Sequence, residues 1–272
     1  MTVFARHIII LPENNRSEVL CIMSRVRLEV CCGSADDVIQ AHKAGADRVE
    51  LNSDLFHGGL TPTLGELIVA KRETGMPIMT MVRPREGGFC YTQAEFDTAV
   101  EDAKLLLHHG ADGLVFGFLH PDGTIDLERT RVLADLALEA GKECVFHRAI
   151  DVVPDWREAL DGLIALGVTR VLTSGQEPDV SLGTDTVREM IAYAAGRIQI
   201  LPGAGITARN MDRIIAETGC SQIHLAAHKQ VTDASVNNNR SIYYGGCLYP
   251  PEDRFQMIDS EYIGGMVRRL PE

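Results

Sequence analysis

Short apolar runs alternate with longer amphipathic stretches along most of the chain. The runs have the length of buried parallel strands, and the stretches between them show the 3.6-residue apolar spacing of helices. Four strands are predicted at Val26–Cys31, Pro77–Val82, Glu143–His147 and Arg197–Leu201. The other four are predicted at the ends of the segments Gly45–Leu51, Gly110–Phe116, Gly167–Thr173 and Gly219–Leu225. The helices are predicted at Ser34–Ala44, Thr63–Thr74, Gln93–His109, Leu127–Ala140, Trp156–Leu166, Ser181–Ala195, Ala208–Thr218 and Met257–Leu270.

An internal repeat supports this pattern. Four segments begin with a glycine that ends a helix and continue through a short turn into a strand; they start at Gly45, Gly110, Gly167 and Gly219. Strict alternation of strand and helix predicts parallel strands joined by right-handed crossovers. Because no G-x-G-x-x-G follows the first strand, an open dinucleotide-binding sheet is disfavoured. We predict a single-domain α/β fold of the (β/α)8 TIM-barrel type over residues 26–272.

Two segments lie outside the regular alternation. Residues 1–25 contain a short apolar run, Ile8–Leu11, which is too short for a signal segment or a membrane span. We interpret residues 1–25 as an N-terminal extension, either disordered or upstream of the true start, because Met23 lies just before the first strand. Residues 227–256 form a long connection after the eighth strand, and loops of this length are typically functional or mediate oligomer contacts.

Composition narrows the class of partner. The 272 residues carry a formal net charge of −12, which argues against a nucleic-acid binder and against docking on an anionic membrane. A small ligand or a metal ion remains the expected partner. The 7 cysteines include no C-x-x-C pair. This usage is typical of a reducing compartment and predicts a cytoplasmic protein without structural disulfides.

The first two strands direct ionisable side chains toward the predicted barrel lumen. Glu29 and Cys31 share a parity and point to the same side, whereas Cys32 points to the other. Arg48 and Glu50 share a parity on the second strand. We predict Glu29 as a substrate-binding residue and Glu50 as a catalytic carboxylate. Cys31 has two open interpretations, a small packing residue or a metal or redox ligand.

The third and fifth strands end in basic residues. Arg83 follows the third strand, and its planar guanidinium suits a carboxylate or a phosphate. The fifth strand ends in His147, which is followed by Arg148 and Asp151. We predict His147 as a general acid–base, Arg148 as a second anion-binding group, and Asp151 as a residue that either orients His147 or pairs with Arg148. The alternative is a structural hydrogen-bond cluster that closes the barrel mouth.

The last three strands add small and polar groups to the same rim. Thr173 and Ser174 offer hydroxyls to an oxyanion or a sugar hydroxyl. Gly203 and Gly205 lie in the turn after the seventh strand, where many barrels bind phosphate, although glycines also serve a tight turn. His224 on the eighth strand completes the predicted substrate-binding set.

Six strand-end segments, in order along the chain, resemble the signature of the copper homeostasis protein CutC family. They are Glu29–Cys31, Gly45–Leu51, Gly58–Pro62, Arg83–Phe89, Phe146–Asp151 and Arg170–Gly175. The resemblance extends from about residue 27 to about residue 230. It implies a cytoplasmic, homo-oligomeric barrel that handles copper through cysteines near the first two strands, with copper(I) as the bound ion and Cys31 as a metal ligand.

The chain departs from the family pattern at one position that bears on copper. The cysteine that often follows the second strand in this family is Asn52 here. Copper(I) prefers soft thiolates. Cys31 and Cys32 point to opposite faces, so neither a vicinal pair nor a thiolate clamp across the two strands is expected.

Two further hypotheses remain open beside copper handling. The first is a TIM-barrel enzyme that acts on a small anionic substrate, a phosphate or a carboxylate, at the C-terminal barrel mouth. The convergence of His147, Arg83, Arg148 and Glu50 on one rim favours it. The second is a structural or interaction protein whose polar rim only stabilises the fold.

Overall fold

The computed structural model describes residues 25–245 and 251–271, in which strands and helices alternate. The barrel strands are β1 (Arg27–Cys32), β2 (Arg48–Leu51), β3 (Ile78–Met81), β4 (Gly113–Phe116), β5 (Glu143–Phe146), β6 (Arg170–Thr173), β7 (Gln199–Pro202) and β8 (Gln222–Leu225). The helices are α1 (Ala35–Lys43), α2 (Leu64–Thr74), α3 (Gln93–His108), α4 (Leu127–Glu139), α5 (Trp156–Ala165), α6 (Thr184–Ala194), α7 (Met211–Thr218) and α8 (Ser260–Val267). The order confirms the predicted (β/α)8 barrel.

The strands form one parallel 8-stranded sheet in the order β7-β6-β5-β4-β3-β2-β1-β8. Strand β1 pairs with both β2 and β8, and β8 is the last strand of this order. The remaining seam, between β7 and β8, is bridged by a side chain: Gln222 Nε2 donates to Gln199 Oε1 at 3.2 Å. The sheet thus curls into a nearly closed barrel, as eight successive βα units require. No helix within the described ranges combines the length and apolar character needed to cross a membrane.

Helix starts follow from capping chemistry that is visible in the sequence. Ser34 accepts a hydrogen bond from the Asp37 backbone N–H at the start of α1. Thr63 and Glu66 form a reciprocal capping box at the start of α2. Such caps satisfy backbone donors that the first helical turn leaves unpaired. They place the chain's turns from strand to helix at the C-terminal rim of the barrel.

The predicted boundaries are wrong in the last connection. Met257, predicted to start the last helix, lies in a strand, and α8 begins only at Ser260. The segment predicted as a loop contains an antiparallel hairpin of β9 (His228–Thr232) and β10 (Arg254–Ile258). Alternating apolar residues in β10 pair with a distant strand, and that pairing is decided by tertiary contacts.

Asp37 anchors this hairpin to the barrel. Its carboxylate accepts hydrogen bonds from the backbone N–H groups of Ile258, at 2.7 Å, and of Gly33, at 2.9 Å. Backbone bonding from Asp259 N–H to the Ala227 carbonyl, at 2.9 Å, holds the base of the hairpin. The hairpin is thereby fixed beside the C-terminal ends of β8 and β1.

The barrel lumen has an apolar part and an ionic part. Met79, Met81, Val115 and Val145 form a separate buried apolar cluster within it. The ionic part is centred on Glu29, whose carboxylate pairs with Arg48 and lies 3.9 Å from Arg170 Nη1. Arg170 is fully buried and also pairs with Glu143. Buried charges need such partners because desolvation otherwise disfavours them.

We expect Arg170→Met to lower the free energy of unfolding by about 3 kcal/mol, because it keeps most of the side-chain volume but leaves the charge of Glu29 less compensated. Urea unfolding followed by circular dichroism measures the change. Arg188→Met is the matched control, since Arg188 and its partner Asp185 are both exposed. Equal stability loss in the two variants would contradict the assigned role of the ionic cluster.

Candidate functional site

Side chains from β8, β1 and β2 meet at the C-terminal end of the lumen. The parallel register pairs Glu29 with His224 and Cys31 with Glu50. Side chains at paired positions of adjacent strands point to the same face. The register therefore places these four side chains side by side, and it confirms that Cys31 and Cys32 diverge: Cys32 is buried in the hydrophobic core.

Cys31, Glu50 and His224 form the candidate metal centre, and we refer to them as the cluster. One donor atom from each of the three lies within 4.8 Å of the others. The Cys31 Sγ is 3.9 Å from Glu50 Oε1. Glu50 Oε2 is buried and has no hydrogen-bond partner in the described part of the chain. A buried carboxylate oxygen without a partner is costly and indicates a position that a ligand can satisfy.

Glu29 orients the imidazole of His224. The distance from His224 Nδ1 to Glu29 Oε1 is 2.8 Å, and because an ionised carboxylate only accepts, Nδ1 is the donor. Nε2 is thereby left for the cluster. A carboxylate behind a histidine is the usual arrangement that fixes the ring of a metal ligand or of a catalytic base.

The protonation states of the two acids differ. Burial opposes ionisation of Glu29, but the charge of Arg48 and the hydrogen bond from His224 outweigh it, so the pKa of Glu29 is lowered. Burial raises the pKa of Glu50 more than the nearby charge of His224 lowers it. Glu29 is therefore ionised at neutral pH, and Glu50 takes up a proton at a higher pH than Glu29 does.

The thiol and the imidazole respond to the same surroundings. Burial raises the pKa of the Cys31 thiol, against a hydrogen bond to His224. Burial also disfavours protonation of His224, but the charges of Glu50 and Glu29 and the hydrogen bond to Glu29 raise its pKa well above 6.5. At neutral pH the cluster therefore holds a neutral thiol and an imidazolium.

Asn52 lies against the cluster. Its Nδ2 donates to Glu50 Oε1 at 3.0 Å and approaches the Cys31 Sγ at 3.5 Å. The close approach of the following loop requires Gly59, which adopts a positive φ of 82° and whose added Cβ would lie 2.5 Å from Asn52 Oδ1. Position 52 is therefore adjacent to the thiol, as the family pattern implies.

A cleft of about 780 Å³ opens above Cys31. One wall is the loop after β2, with Leu55 and Phe56, and another is the β9–β10 hairpin, with His228 and Arg254. Ser34 at the start of α1 also contributes. Cys31, the member of the cluster that lines the cleft, is thus reached from solvent through a cleft that three separate segments enclose.

The predicted acid–base residue His147 lies elsewhere on the rim. Its Nδ1 accepts from the Ala149 backbone N–H at 3.1 Å, and burial together with the charge of Arg83 lowers the pKa of His147 to about 3. The ring is therefore neutral, with the proton on Nε2. That atom is buried and without a hydrogen-bond partner among the described residues. The ring of Phe89 packs against the imidazole of His147, with 4.7 Å between the ring centroids.

Arg83 is occupied by backbone. Its Nη1 donates to the carbonyls of His57 and Gly59, at 3.0 and 2.9 Å, and its Nη2 donates to the Gly87 carbonyl at 2.8 Å. The guanidinium of Arg83, which was predicted to bind an anion, thus holds the loop after β2 and the loop after β3 in place. Its role in binding an anion stays a prediction.

The predicted residues of β5 and β6 gather into a second group. Asp151 pairs with Arg148 at 2.8 Å and accepts from the hydroxyls of Thr173, at 2.5 Å, and Ser174, at 2.8 Å. Arg148 Nη2 also donates to Ser174 Oγ at 2.7 Å. Of the two partners foreseen for Asp151, the structure shows Arg148. The group has the form of the hydrogen-bond cluster that was the alternative to a catalytic site.

The glycines after β7 face an acidic neighbour. A Cβ added to Gly205 would lie 1.7 Å from Asp179 Oδ2, and Gly205 adopts a positive φ of 79°. A Cβ on Gly203 would meet Leu172 at 2.7 Å and His224 at 3.2 Å. Both glycines therefore permit close packing. A carboxylate at Gly205 also repels the phosphate that the glycine-rich turn suggested.

Sequence reasoning did not identify the cleft walls. Phe56, His228, Arg254 and Phe255 line the cleft, but they lie on segments read as loops. The alternation of polar and apolar residues from Arg254 to Ile258 is the signal that could have revealed β10. Nothing comparable marks the loop that carries Phe56.

The donor set of the cluster fits a transition-metal ion. A thiolate and an imidazole are soft or borderline donors, and a carboxylate adds charge. Among the residues that the structure describes, three protein donors converge, and Cys31 borders the cleft. A bound ion would therefore keep a coordination position open to exchange. Binding would displace protons from the thiol and the imidazolium, because metals bind the deprotonated forms.

Comparisons with known proteins agree with the strand-end resemblance. The family model described as CutC family matches residues 26–229. A CutC family protein of Treponema denticola is 53% identical over 91% of this chain and 100% of its own length. A copper homeostasis protein cutC homolog of Homo sapiens is 39% identical over 85% of this chain and 84% of its own. The crystal structure of a CutC protein from Streptococcus agalactiae has a TM-score of 0.69 and 34% identity, covering 74% of this chain and 98% of that one.

We expect Glu29→Gln to lower the pKa of His224, because it removes a carboxylate charge beside Nδ1. Since the folded-state pKa is raised, the stabilisation from protonated His224 is present below pH about 6.5 and is lost as pH rises through that pKa. An NMR titration of the histidine ring protons, from about pH 5 to about pH 9, measures the shift.

Glu101→Gln is the control, since Glu101 forms an exposed surface pair with Lys104. His147 provides an internal reference, because its ring should remain neutral throughout the titration in all variants. An unchanged pKa of His224 in Glu29→Gln is the result that rules out the proposed orientation by Glu29.

Proposed function

The chain belongs to the CutC family, and from that premise we propose that it serves copper homeostasis by binding copper(I) at the cluster of Cys31, Glu50 and His224. The observation that carries the proposal is the convergence within 4.8 Å of a thiol, an imidazole and a carboxylate with one oxygen unpartnered among the described residues, with the thiol of Cys31 bordering the cleft. Relatives from Homo sapiens and Mus musculus carry the name copper homeostasis protein cutC homolog.

The chemistry of the donors supports this assignment. Cys31 as thiolate and His224 as neutral imidazole are the two soft or borderline ligands that copper(I) accepts in low coordination numbers. Glu50, at 3.9 Å from the thiol, compensates the cation's charge when ionised. Glu29 holds the ring of His224 from behind, and it draws its own charge balance from Arg48.

The anion-processing enzyme remains the alternative hypothesis, with weaker support. Its two arginines, Arg83 and Arg148, are hydrogen-bonded to backbone carbonyls and to Asp151. A phosphate after β7 would meet Asp179. The copper proposal, in contrast, uses groups whose hydrogen-bonding capacity is left open.

We expect Cys31→Ser and His224→Gln to weaken copper(I) binding by more than the roughly 10- to 100-fold loss that is typical of changes behind a metal ligand. The reason is that each substitution removes one of the two soft or borderline donors. Competition with a chromophoric copper(I) chelator, under anaerobic reducing conditions, gives the dissociation constants.

Cys90→Ser is the matched control, because Cys90 is an exposed cysteine outside the cleft. It should bind copper(I) like the unmodified chain. If Cys31→Ser, Cys90→Ser and the unmodified protein bound copper(I) equally, copper would be held nonspecifically and the proposal would fail.

We expect Asn52→Cys to strengthen copper(I) binding by at least about tenfold, or about 1.4 kcal/mol. The amide of Asn52 lies 3.5 Å from the Cys31 Sγ, so a thiolate at this position would complete a two-strand clamp. The same competition assay measures the gain.

Asn52→Ser controls for loss of the amide and should give no gain. The double variant Asn52→Cys with Cys31→Ser should also lose the improvement. A gain that survives in the double variant would show that the new thiol binds copper without Cys31, against the clamp geometry.

A further inference from the structure

The cleft above the cluster is larger than an ion requires. Its volume of about 780 Å³ lies within the roughly 300–1,000 Å³ of small-molecule sites. Its floor is Cys31, and its walls come from the loop after β2 and from the β9–β10 hairpin. The space is therefore large enough for a small organic molecule in addition to any metal.

Two aromatic side chains give the cleft its apolar surface. Phe56 is 75% exposed and Phe255 is 46% exposed, and both line the cleft from different segments. The end of the loop that carries Phe56 is held by Arg83. Its Nη1 donates hydrogen bonds to the backbone carbonyls of His57 and Gly59. A loop that presents an exposed aromatic ring to a cleft is typical of a ligand-binding wall.

Most charged side chains of the cleft already form hydrogen bonds or ion pairs within the protein. Asp37 is used by the backbone of Gly33 and Ile258, and Asp54 pairs with His57 at 2.7 Å. Arg254 bonds Asp253 through Nε at 3.1 Å.

Two nitrogens of the hairpin remain open. Nη2 of Arg254 makes no hydrogen bond within the described residues, and His228 Nε2 is buried there without a partner. The hairpin therefore offers a guanidinium edge and an imidazole nitrogen to a ligand, and a carboxylate matches the guanidinium.

We propose that the cleft binds a small aromatic carboxylate, with the ring between the loop of Phe56 and the β9–β10 hairpin and the carboxylate at Arg254. Such a ligand would lie directly above Cys31. Binding of the ligand does not require copper, since none of the residues that hold the ligand belongs to the cluster.

Benzoate is the probe, added to protein from which metals have been removed with a chelator. Ligand-detected saturation-transfer NMR, with a concentration series, gives the dissociation constant. We expect saturable benzoate binding and at least tenfold weaker binding of acetate, which lacks the ring. Arg254→Gln should weaken benzoate binding by about tenfold, as expected for loss of a charged hydrogen bond.

Arg240→Gln is the matched control, because Arg240 also contacts Asp253 but does not line the cleft. It should leave benzoate binding unchanged. Phe56→Ala should weaken binding by severalfold, whereas Tyr244→Ala, at an equally exposed aromatic residue outside the cleft, should not. Absence of saturable binding, or equal effects of Arg254→Gln and Arg240→Gln, would overturn the proposal. Because the protein is free of metal, neither result bears on copper binding.

Discussion

One buried carboxylate, Glu29, constrains the polar interior of this barrel. A charge in the lumen is tolerated only when cations and donors surround it, and Arg48, Arg170 and His224 meet that requirement from three different strands. The charges of Glu50 and Glu29 in turn raise the pKa of His224, and the hydrogen bond to Glu29 fixes its ring. The ionic interior and the candidate site are therefore connected through Glu29. A substitution at Arg48 or Arg170 is expected to affect His224 through this carboxylate.

The two halves of the rim differ in how fully their polar groups are hydrogen-bonded. On the β5–β6 side, Asp151 receives hydrogen bonds from Thr173, Ser174 and Arg148, which leaves it little capacity for a ligand. On the β8–β1–β2 side, Glu50 Oε2 lacks a partner within the described ranges, and the thiol of Cys31 borders open space. The barrel fold directs ligands to its C-terminal face in general, and hydrogen-bond satisfaction distinguishes which part of that face is available.

The hairpin after β8 gives the site its enclosure. It is held by the carboxylate of Asp37 on α1, so the helix that follows β1 also positions the wall over β1. Family membership and the donor set favour a metal at the floor, and the size of the cleft favours an organic molecule above it. The two occupants would meet at Cys31. A thiol at the junction of a metal site and a ligand site can couple the two, since whatever coordinates or displaces its proton changes the charge beneath the ligand.

The sequence by itself determined the barrel, because strand and helix periodicities and capping residues such as Ser34 and Thr63 act over a few neighbouring positions. Parity along β1 likewise separated Cys31 from Cys32 and directed Glu29 inward. The pairing of β9 with β10 was missed, because its partners are more than 20 residues apart and no local signal specifies them. Only the tertiary structure decided which rim residues are free: Arg83 and Asp151 look available in the sequence, but backbone groups and side chains brought close by folding occupy them. Tertiary structure also forms the cluster, because the register of β8, β1 and β2 places His224 beside Cys31 and Glu50, which are distant in sequence.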